Sequence, residues 1–270
     1  MLKTLAHVSD LHFGASQNNL GRAYELVRAL LTADIDHVVV TGDVTDGGRG
    51  QELAAFERAF APLRELGRLT VVPGNHDRLG DDVGAWFMSG KRVDTVELPG
   101  AFLVRVDSTG PHNHTSILAG HGDVCQVVLE EICADLDQAP AGALVAILLH
   151  HHPIFLPEEG FWEKVASIFN LPFAAELSLG EEILRRALGR CDLILHGHRH
   201  VPSARILCPA SARPLRVYNA GCSTARGGMN VFTHDGGLLL DEPRWLQVSA
   251  DTPGFLEIPP YERAEYELAV

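Results

Sequence analysis

The chain has 270 residues, 46% hydrophobic and 21% charged, a composition ordinary for a globular protein with a substantial core. Its formal net charge of −13 is opposite to the basic field that neutralises nucleic-acid phosphates, so binding of long nucleic acids is disfavoured. Five scattered cysteines without a C-x-x-C pair predict reduced thiols, with Cys191 and Cys208 buried. No run reaches the roughly 20 apolar residues of a membrane span, and the N-terminus lacks a secretory apolar segment, which predicts a cytoplasmic protein.

Apolar runs of strand type alternate with helical periodicity over the first 200 residues. The patterns predict, in chain order, a strand at 5–9, a helix at 20–31, a strand at 37–41, a helix at 51–66, strands at 69–72 and 102–108, a helix at 124–136, a strand at 143–149, a helix at 181–188 and a strand at 192–196. Short antiparallel strands are then expected at 204–208, 215–220, 229–234 and 237–248. This order predicts one α/β layered domain over 1–270 with a large mixed sheet system.

Two segments do not fit this alternation. Residues 77–100 are rich in glycine and charge, and residues 153–180 form a long connection that contains several aromatic side chains. Long connections in compact domains are often functional. We therefore expect 153–180 to be either a lid that sets specificity or a packed peripheral helix with loops.

Polar clusters follow five of the predicted strands at their carboxyl ends. Singly, each is an ordinary turn, helix cap or hydrogen-bonded histidine. Ligands of open α/β sheets bind beyond the carboxyl ends of strands, so five such clusters favour a shared metal site. They are Asp10-Leu11-His12, Gly42-Asp43, Gly74-Asn75-His76-Asp77, His150-His151-His152-Pro153 and His196-Gly197-His198-Arg199-His200.

The donor atoms in these clusters are carboxylates, imidazoles and one amide, without a thiolate. This set suits divalent ions such as Mn, Fe, Co, Ni or Zn rather than a cysteine-rich structural zinc site. There are too many donors for one ion. They predict a two-metal site, in which a carboxylate bridges ions about 3.5–4 Å apart.

The ordered blocks D-x-H, G-D, G-N-H-D, H-H-P and G-H-x-H, from Asp10 to His200, resemble those of the calcineurin-like metallophosphoesterases. The D-L-H start and the H-H-P block are most similar to class III cyclic nucleotide phosphodiesterases and other small bacterial phosphodiesterases. The resemblance implies a four-layer α/β/β/α sandwich with two mixed β-sheets. It also implies a cofactor of two divalent or trivalent transition-metal ions, with Mn, Fe and Zn as candidates.

Carried over residue by residue, the resemblance assigns metal ligands and a catalytic histidine. His76 would be the histidine that does not bind metal and that acts as a general acid or stabilises negative charge. Asp77 would orient His76 or cap the following turn. The resemblance assigns the first ion to Asp10, His12, Asp43 and His200, and the second to Asp43, Asn75, His151 and His198, with Asp43 as the bridge.

The other histidines leave alternatives open. The family's ligand stands two residues before the proline, which selects His151, and His150 should then point away if its strand stays regular. His152 is expected to contact substrate, to support a ligand or to be exposed. His112 and His114 are expected either to line the rim of the cleft or to belong to an ordinary polar loop.

The implied reaction is hydrolysis of small phosphodiesters, cyclic nucleotides included, by a metal-bridging hydroxide. Phosphomonoesterases often add cationic side chains for the second charge, and no dense Lys/Arg cluster adjoins these blocks, which favours diesters. A phosphomonoesterase and a hydrolase of nucleotide-linked lipid or sugar pyrophosphates remain alternatives. A metal-binding scaffold without activity is disfavoured because every expected ligand is present. The partner is a small phosphoester, and the chain is either a monomer or a homodimer.

The three histidines of residues 196–200 should differ in a mutational test. Replacing His198 or His200 by alanine should remove metal and activity, because each is assigned to one ion. His196→Ala should keep most of both, since His196 is interpreted as a supporting or packed strand-end residue. Metal content and phosphodiesterase rate of the three variants check this order, and equal losses in all three would contradict it.

Overall fold

The structure is a computed structural model that describes residues 1–116, 118–154, 177–240, 242–249, 252–256 and 259–268. The prediction of a lid or specificity segment at 153–180 lies mostly outside these ranges, since residues 155–176 are not among them. That prediction is therefore not tested.

Strands and helices alternate in the first two thirds of the chain, and strands dominate afterwards. In chain order they are β1 (Lys3–Val8), α1 (Gln17–Thr32), β2 (His37–Thr41), α2 (Gly50–Glu65), β3 (Leu69–Val72), a 3₁₀ turn (His76–Arg78), α3 (Gly84–Phe87), β4 (Val93–Leu98), β5 (Ala101–Val106), a 3₁₀ turn (Pro111–His114), α4 (Gln126–Asp137), β6 (Leu144–Leu148), α5 (Gly180–Ala187), β7 (Leu193–His196), β8 (Ser203–Leu207), β9 (Leu215–Asn219), α6 (Ser223–Arg226), β10 (Gly228–Asp235), β11 (Leu238–Leu239), β12 (Arg244–Gln247), β13 (Gly254–Leu256) and β14 (Arg263–Glu265).

The described strands form two seven-stranded mixed sheets. The first has the order β13-β12-β10-β1-β2-β3, with β11 on β10; β1, β2 and β3 are parallel and β10 is antiparallel to β1. The second has the order β14-β8-β9-β7-β6-β5-β4, and its centre, β5-β6-β7-β9, is parallel. Parallel strands at the centre of each sheet place several carboxyl ends at one edge.

Alternating side chains divide the core into three apolar layers. In β2, Val39 packs between the two sheets, while Val38 and Val40 pack with residues of α1 and α2. In β6, Ala146 faces the space between the sheets and Ile147 packs with residues of α4 and α5. Because neighbouring residues of a strand point to opposite faces, each sheet is buried on both sides. The predicted four-layer α/β/β/α sandwich is confirmed.

The long helices follow the predicted amphipathic patterns, and α1 begins at a side-chain cap. At the start of α1, Ser16 Oγ accepts a hydrogen bond from the Asn19 amide at 3.2 Å, which satisfies one free N–H of the first turn. The segment 77–100 contains one strand that periodicity did not reveal, β4, which pairs antiparallel with β5 at the sheet edge. Its half-buried pattern lacks a clear alternation of apolar residues.

The cysteines are free thiols wherever the structure describes them, in agreement with the absence of a disulfide framework. Cys191 is buried as expected, but the prediction for Cys208 is wrong, because Cys208 is exposed. It follows β8 in a loop, where the neighbouring apolar run ends. Among the described residues, none of the helices has the length and apolarity that crossing a bilayer requires.

Packing in the layer between the sheets should contribute measurably to stability. Leu103 is completely buried there, so Leu103→Ala removes apolar contacts and leaves a cavity. We expect a loss of about 2–5 kcal/mol in the free energy of unfolding, measured by urea denaturation. Leu2→Ala is the control, because Leu2 is 58% exposed and should change stability by no more than about 0.5 kcal/mol. Equal effects of the two substitutions would contradict this packing.

Candidate metal centre

Loops that follow β1, β2, β3, β6 and β7 meet at one edge of the two sheets. The amides of Asp10 and His12 donate to the carbonyls of Gly42 and Asp43 at 3.1 and 3.0 Å, which ties the first two loops together. The last two are tied by the Gly197 amide, which donates to the His150 carbonyl at 3.0 Å. All five predicted clusters thus converge, as expected for residues that follow the carboxyl ends of neighbouring strands.

Several of the predicted ligands have left-handed backbone conformations. This conformation is uncommon outside glycine and costs free energy, so it persists where the surrounding structure demands it. Such residues cluster at functional sites. Five of the ten non-glycine residues with positive φ in the described part of the chain are predicted ligands: Asp10 (54°), His12 (47°), Asp43 (47°), His198 (74°) and His200 (52°).

The same backbone conformation shows that residues 196–200 do not form one regular extended run. β7 ends at His196, and the positive φ angles of His198 and His200 turn their side chains independently of strand alternation. His196 is buried, and its Nδ1 lies 3.1 Å from the Gly197 carbonyl oxygen. It belongs to none of the candidate metal-binding groups found among the described residues. Histidines two apart therefore do not share one side here.

The first group of donors joins Asp10, His12, Asp43 and His200, whose ligand atoms all lie within 4.8 Å of one another. His200 Nε2 is 3.2 Å from Asp10 Oδ1 and 3.1 Å from His12 Nε2. His12 Nε2 is 3.9 Å from Asp43 Oδ2. These are the four side chains predicted for the first ion. Half of the His200 side chain is exposed, so the group opens to solvent on this side.

The second group joins His150, His151 and His198, with Asn75 beside them. Asn75 Oδ1 is 3.1 Å from both His198 Nδ1 and His150 Nε2. His150 Nε2 is also 3.3 Å from Asp43 Oδ2, so Asp43 borders both groups. The predicted second set of Asp43, Asn75, His151 and His198 is brought together, with His150 added.

The expectation that His150 points away is wrong. β6 ends at Leu148, so strand alternation no longer applies two residues later. The His150 ring is buried, and its Nδ1 lies 2.7 Å from the Thr41 carbonyl oxygen, which aims Nε2 at Asp43 and Asn75. In the sequence, three consecutive histidines indicate that one or more could face the centre. Only the contact with β2 shows that His150 does so.

His76 lies next to the first group and is oriented by a neighbouring loop. Its amide donates to Asp43 Oδ1 at 2.9 Å, and its ring Nδ1 is 2.7 Å from the Asp46 carbonyl oxygen. Its Nε2 lies 4.0 Å from Asp43 Oδ2. The Asp46 carboxylate, 3.3 Å from His12 Nδ1, completes a third group with His12 and His76. Sequence reasoning missed Asp46, although it stands three residues after Asp43 in the same loop.

Asp77 contacts backbone rather than the His76 ring. Its carboxylate accepts hydrogen bonds from the amides of Gly74 (2.9 Å), Val44 (3.2 Å) and Thr45 (2.8 Å). These contacts support neither of the predicted roles, which were to orient the His76 ring directly or to cap the next turn. Asp77 fixes the loop after β3 against the loop after β2, and the Asp46 carbonyl orients His76 instead.

The predicted substrate-contacting histidines have different surroundings. His152 is buried and stacks on His198 with ring centroids 5.7 Å apart, which excludes the exposed alternative. His112 stacks on His121 at 3.7 Å, and its Nε2 lies 2.8 Å from the His121 carbonyl oxygen. His114 is part-exposed, with Nδ1 3.9 Å from Asp82 Oδ1. The last two thus belong to a structured polar loop, outside the groups of candidate ligands.

The carboxylates of the centre are held as anions. Burial alone raises the pKa of Asp10, but the hydrogen bond and charge of His200 outweigh it and lower that pKa to about 2. Burial also opposes ionisation of Asp43, yet the charges of His150 and His76 lower its pKa well below the usual range. Burial lowers the pKa of His12, whereas Asp46, Asp43 and Asp10 raise it to about 9. Buried anions of this kind suit a bound cation.

The residues present fit a pair of metal ions. The donor set consists of carboxylate, imidazole and amide groups, the ligands of Mn, Fe and Zn. The buried Nε2 of His151 has no hydrogen-bond partner among the described residues, so a side-chain atom in the centre lacks the partner that buried polar groups require. The thiol of Cys222 lies nearby, but it donates a hydrogen bond to the Asp10 carbonyl oxygen at 3.0 Å and is not in any of the candidate metal-binding groups.

Comparison with known families agrees with this geometry. The sequence matches the calcineurin-like phosphoesterase family over residues 3–202, well over half of the chain. The chain belongs to the calcineurin-like phosphoesterase family. The matched region includes all five clusters and ends just after His200. The resemblance seen in the motifs is therefore confirmed at the level of the family.

Individual relatives of this phosphoesterase are distant. A protein named "Probable cyclic nucleotide phosphodiesterase" from Vesicomyosocius okutanii is 23% identical, with 90% of this chain and 99% of that protein covered. A dimetal phosphatase from Danio rerio is 13% identical with a TM-score of 0.60, covering 90% of this chain and 94% of that one. Purple acid phosphatase PPD1 from yellow lupin seeds is 13% identical with a TM-score of 0.62, covering 98% and 54%. The two structures support the fold.

Close backbone packing at Gly197 should be required for the centre. A Cβ atom there would collide with Ser9 Oγ and with Asp10 Oδ2, so Gly197→Ala must displace a predicted ligand. We expect lower metal content by elemental analysis and a lower melting temperature.

Gly21→Ala is the matched control for that substitution. A Cβ at Gly21 has nothing within 4 Å, and the residue lies in α1, where alanine should stabilise by up to about 1 kcal/mol. Unchanged metal content in Gly197→Ala would show that the loop tolerates displacement and would contradict the predicted constraint.

Proposed function

We propose that this chain is a two-metal phosphodiesterase that hydrolyses small phosphodiesters, with cyclic nucleotides as candidate substrates. The observation that carries the proposal is the position of Asp43, whose Oδ2 lies 3.9 Å from His12 Nε2 in one group and 3.3 Å from His150 Nε2 in the other. A single carboxylate between two groups of nitrogen donors is the arrangement that a bridging ligand needs.

The two ions would be held on either side of this carboxylate. When bound, they supply Lewis acidity toward a phosphoryl oxygen and lower the pKa of coordinated water. The second set consists of Asp43, Asn75, His151 and His198, with His150 beside them. The first set consists of Asp10, His12, Asp43 and His200.

His76 is proposed to supply the proton that the leaving oxygen needs. A carbonyl oxygen only accepts, so the contact with Asp46 fixes a proton on Nδ1 of His76. Nε2 is then the atom that gains or releases a proton, and it faces the Asp43 side of the centre. The protonated ring donates from Nε2 to the departing oxygen, which leaves as a neutral hydroxyl.

We favour diesters because the positive charge of Arg78, near the centre, is already balanced by carboxylates of the protein. The guanidinium of Arg78, two residues after His76, forms ion pairs with Asp107 and Asp82 and donates a hydrogen bond to Thr109. Its charge is thereby balanced by two carboxylates, which leaves less attraction for the second charge of a monoester. The name of the 23% identical relative supports cyclic nucleotides as the first substrates to test.

A substrate panel tests the proposal. The purified protein, loaded with Mn, Fe or Zn, is assayed with bis-p-nitrophenyl phosphate, p-nitrophenyl phosphate, 2′,3′- and 3′,5′-cyclic nucleotides and a nucleotide sugar. We expect the diesters to be hydrolysed with the highest kcat/KM. A preference for the monoester, or for the pyrophosphate bond of the nucleotide sugar, would select the alternative enzyme. Metal binding without turnover of any substrate would indicate a scaffold.

Asp43→Asn should abolish turnover. The substitution keeps the size of the side chain but removes the charge that both groups of donors share. We expect kcat to fall by about 100-fold or more, together with loss of metal, measured by assay and elemental analysis.

Asp34→Asn is a control matched in backbone geometry. Asp34 has φ 49°, close to the 47° of Asp43, but its side chain is 86% exposed and pairs with Arg68 away from the centre. This variant should keep the activity and metal content of the parent. Undiminished turnover in Asp43→Asn would refute the bridging assignment.

A further inference from the structure

A cavity of about 550 Å³ lies outside the metal centre, between α2, β3, α3 and β4. None of the candidate metal donors is among its described lining residues, and neither is His76. Its volume is within the range of sites that bind small molecules, about 300–1,000 Å³. The cavity is therefore large enough for a ligand and separate from the donors proposed for the reaction.

Both strands border the cavity along an unpaired edge. Among the described strands, β3 is the last of the first sheet and β4 is the last of the second. Residues 69–71 of β3 and 96–98 of β4 line the cavity. Because neighbouring side chains of a strand point to opposite faces, three consecutive residues border one space only where that space extends along the edge. Backbone groups thus line the cavity together with side chains.

The backbone of β3 offers hydrogen-bonding groups at this edge. The Val38 amide of β2 donates to the Arg68 carbonyl oxygen at 2.9 Å, and Val38 is the register partner of Leu69. In a parallel pair, alternate residues direct both backbone groups to the neighbouring strand, so Arg68 and Thr70 face β2. Leu69 and Val71 therefore direct their N–H and C=O groups to the open edge, where no described residue binds them. Each of the two residues presents a donor beside an acceptor.

Aromatic side chains form much of the apolar lining. Phe56 and Phe60 of α2 are buried, with ring centroids 4.7 Å apart, and the Phe87 ring of α3 lies 6.3 Å from that of Phe56. Trp86 also lines the cavity and is 75% exposed, so it stands on the solvent side. Its ring can stack on a flat ligand without leaving the core. This lining favours a planar aromatic ligand.

The positive charges that line the cavity are already balanced. Arg64 Nη1 lies 3.1 Å from Glu57 Oε1, and Arg105 forms an ion pair with Asp94. Burial lowers the pKa of His37 to about 4, so its ring is neutral near pH 7. An anionic ligand would therefore meet no unpaired cation among these side chains. This distinguishes the cavity from a site for phosphoesters.

We propose that this cavity binds a planar heteroaromatic molecule that has no negative charge and that carries a hydrogen-bond donor beside an acceptor, as a lactam or a nucleobase does. The donor and acceptor pair with the backbone of Leu69 or Val71, in the way that a further strand pairs with an edge strand. Trp86 stacks on the face of the ligand. The site is independent of the reaction proposed for the metal centre.

Two probes with the same rings test the hydrogen-bonding part of the proposal. 2-Quinolone has an N–H beside a carbonyl, whereas 1-methyl-2-quinolone lacks the N–H. Each is titrated into the zinc-loaded protein by calorimetry. We expect one 2-quinolone per chain with a Kd below about 1 mM, and about 10-fold weaker binding of the methylated probe, which loses one hydrogen bond. The anion quinoline-2-carboxylate should also bind more weakly than 2-quinolone.

Spectra and a variant locate the bound probe. In nitrogen-15 spectra of the zinc-loaded protein, 2-quinolone should shift the amides of Leu69 and Val71 and the indole of Trp86. Trp86→Ala should weaken binding by about 3- to 10-fold, and it should fold because the ring is largely exposed. Tyr24→Ala is the matched control, since it removes a 48% exposed ring from α1, outside the described lining of the cavity, and should leave the affinity unchanged.

A Kd above about 1 mM for 2-quinolone would overturn the proposal. Equal affinity for the two quinolones would refute recognition by the strand edge, and parental affinity in Trp86→Ala would refute stacking on that ring. Displacement of 2-quinolone by inorganic phosphate would place the probe in the metal centre and contradict a separate site. Turnover of phosphodiesters is measured independently, so failure here is distinguishable from failure of the proposed function.

Discussion

The buried carboxylate of Asp43 is the group on which the rest of the centre depends. An isolated anion inside a protein is strongly unfavourable, so its surroundings must compensate the charge. The His76 amide donates to one oxygen, while His150 and His12 approach the other. A Cβ at Gly74 would collide with this carboxylate, so the neighbouring loop also depends on its position. Loops from both sheets are therefore organised around one charge.

The two-sheet core supports the strained backbone of the loops that carry the predicted ligands. Five predicted ligands have positive φ angles, which an unsupported loop would not hold. Their loops leave strands that are buried on both faces, and Asp77 ties two of these loops together through backbone amides. The rigid layers thus provide the support that keeps the donors converged. Asp77 contributes to the site through this support rather than by contact with His76.

Much of the fold and most of the centre were predictable from the residues. Strands such as 37–41 and 69–72 are short runs rich in valine, and polar residues after them mark the shared edge. Strand β4 was missed because an edge strand with half-buried faces lacks that alternation. Asp46 was missed because its contribution includes a backbone carbonyl, and a carbonyl leaves no trace in residue type.

The sequence alone determined the layered fold class, the family and the pool of metal donors, because these follow from periodicity and from the order of the motif residues. Only the tertiary structure decided what each histidine of the 150–152 run contacts. His150 is oriented by Thr41, 109 residues away, and His151 by Ser108, 43 residues away. A run of identical residues carries no local distinction between its members. The partners that long-range folding brings to each ring decide how that ring is oriented.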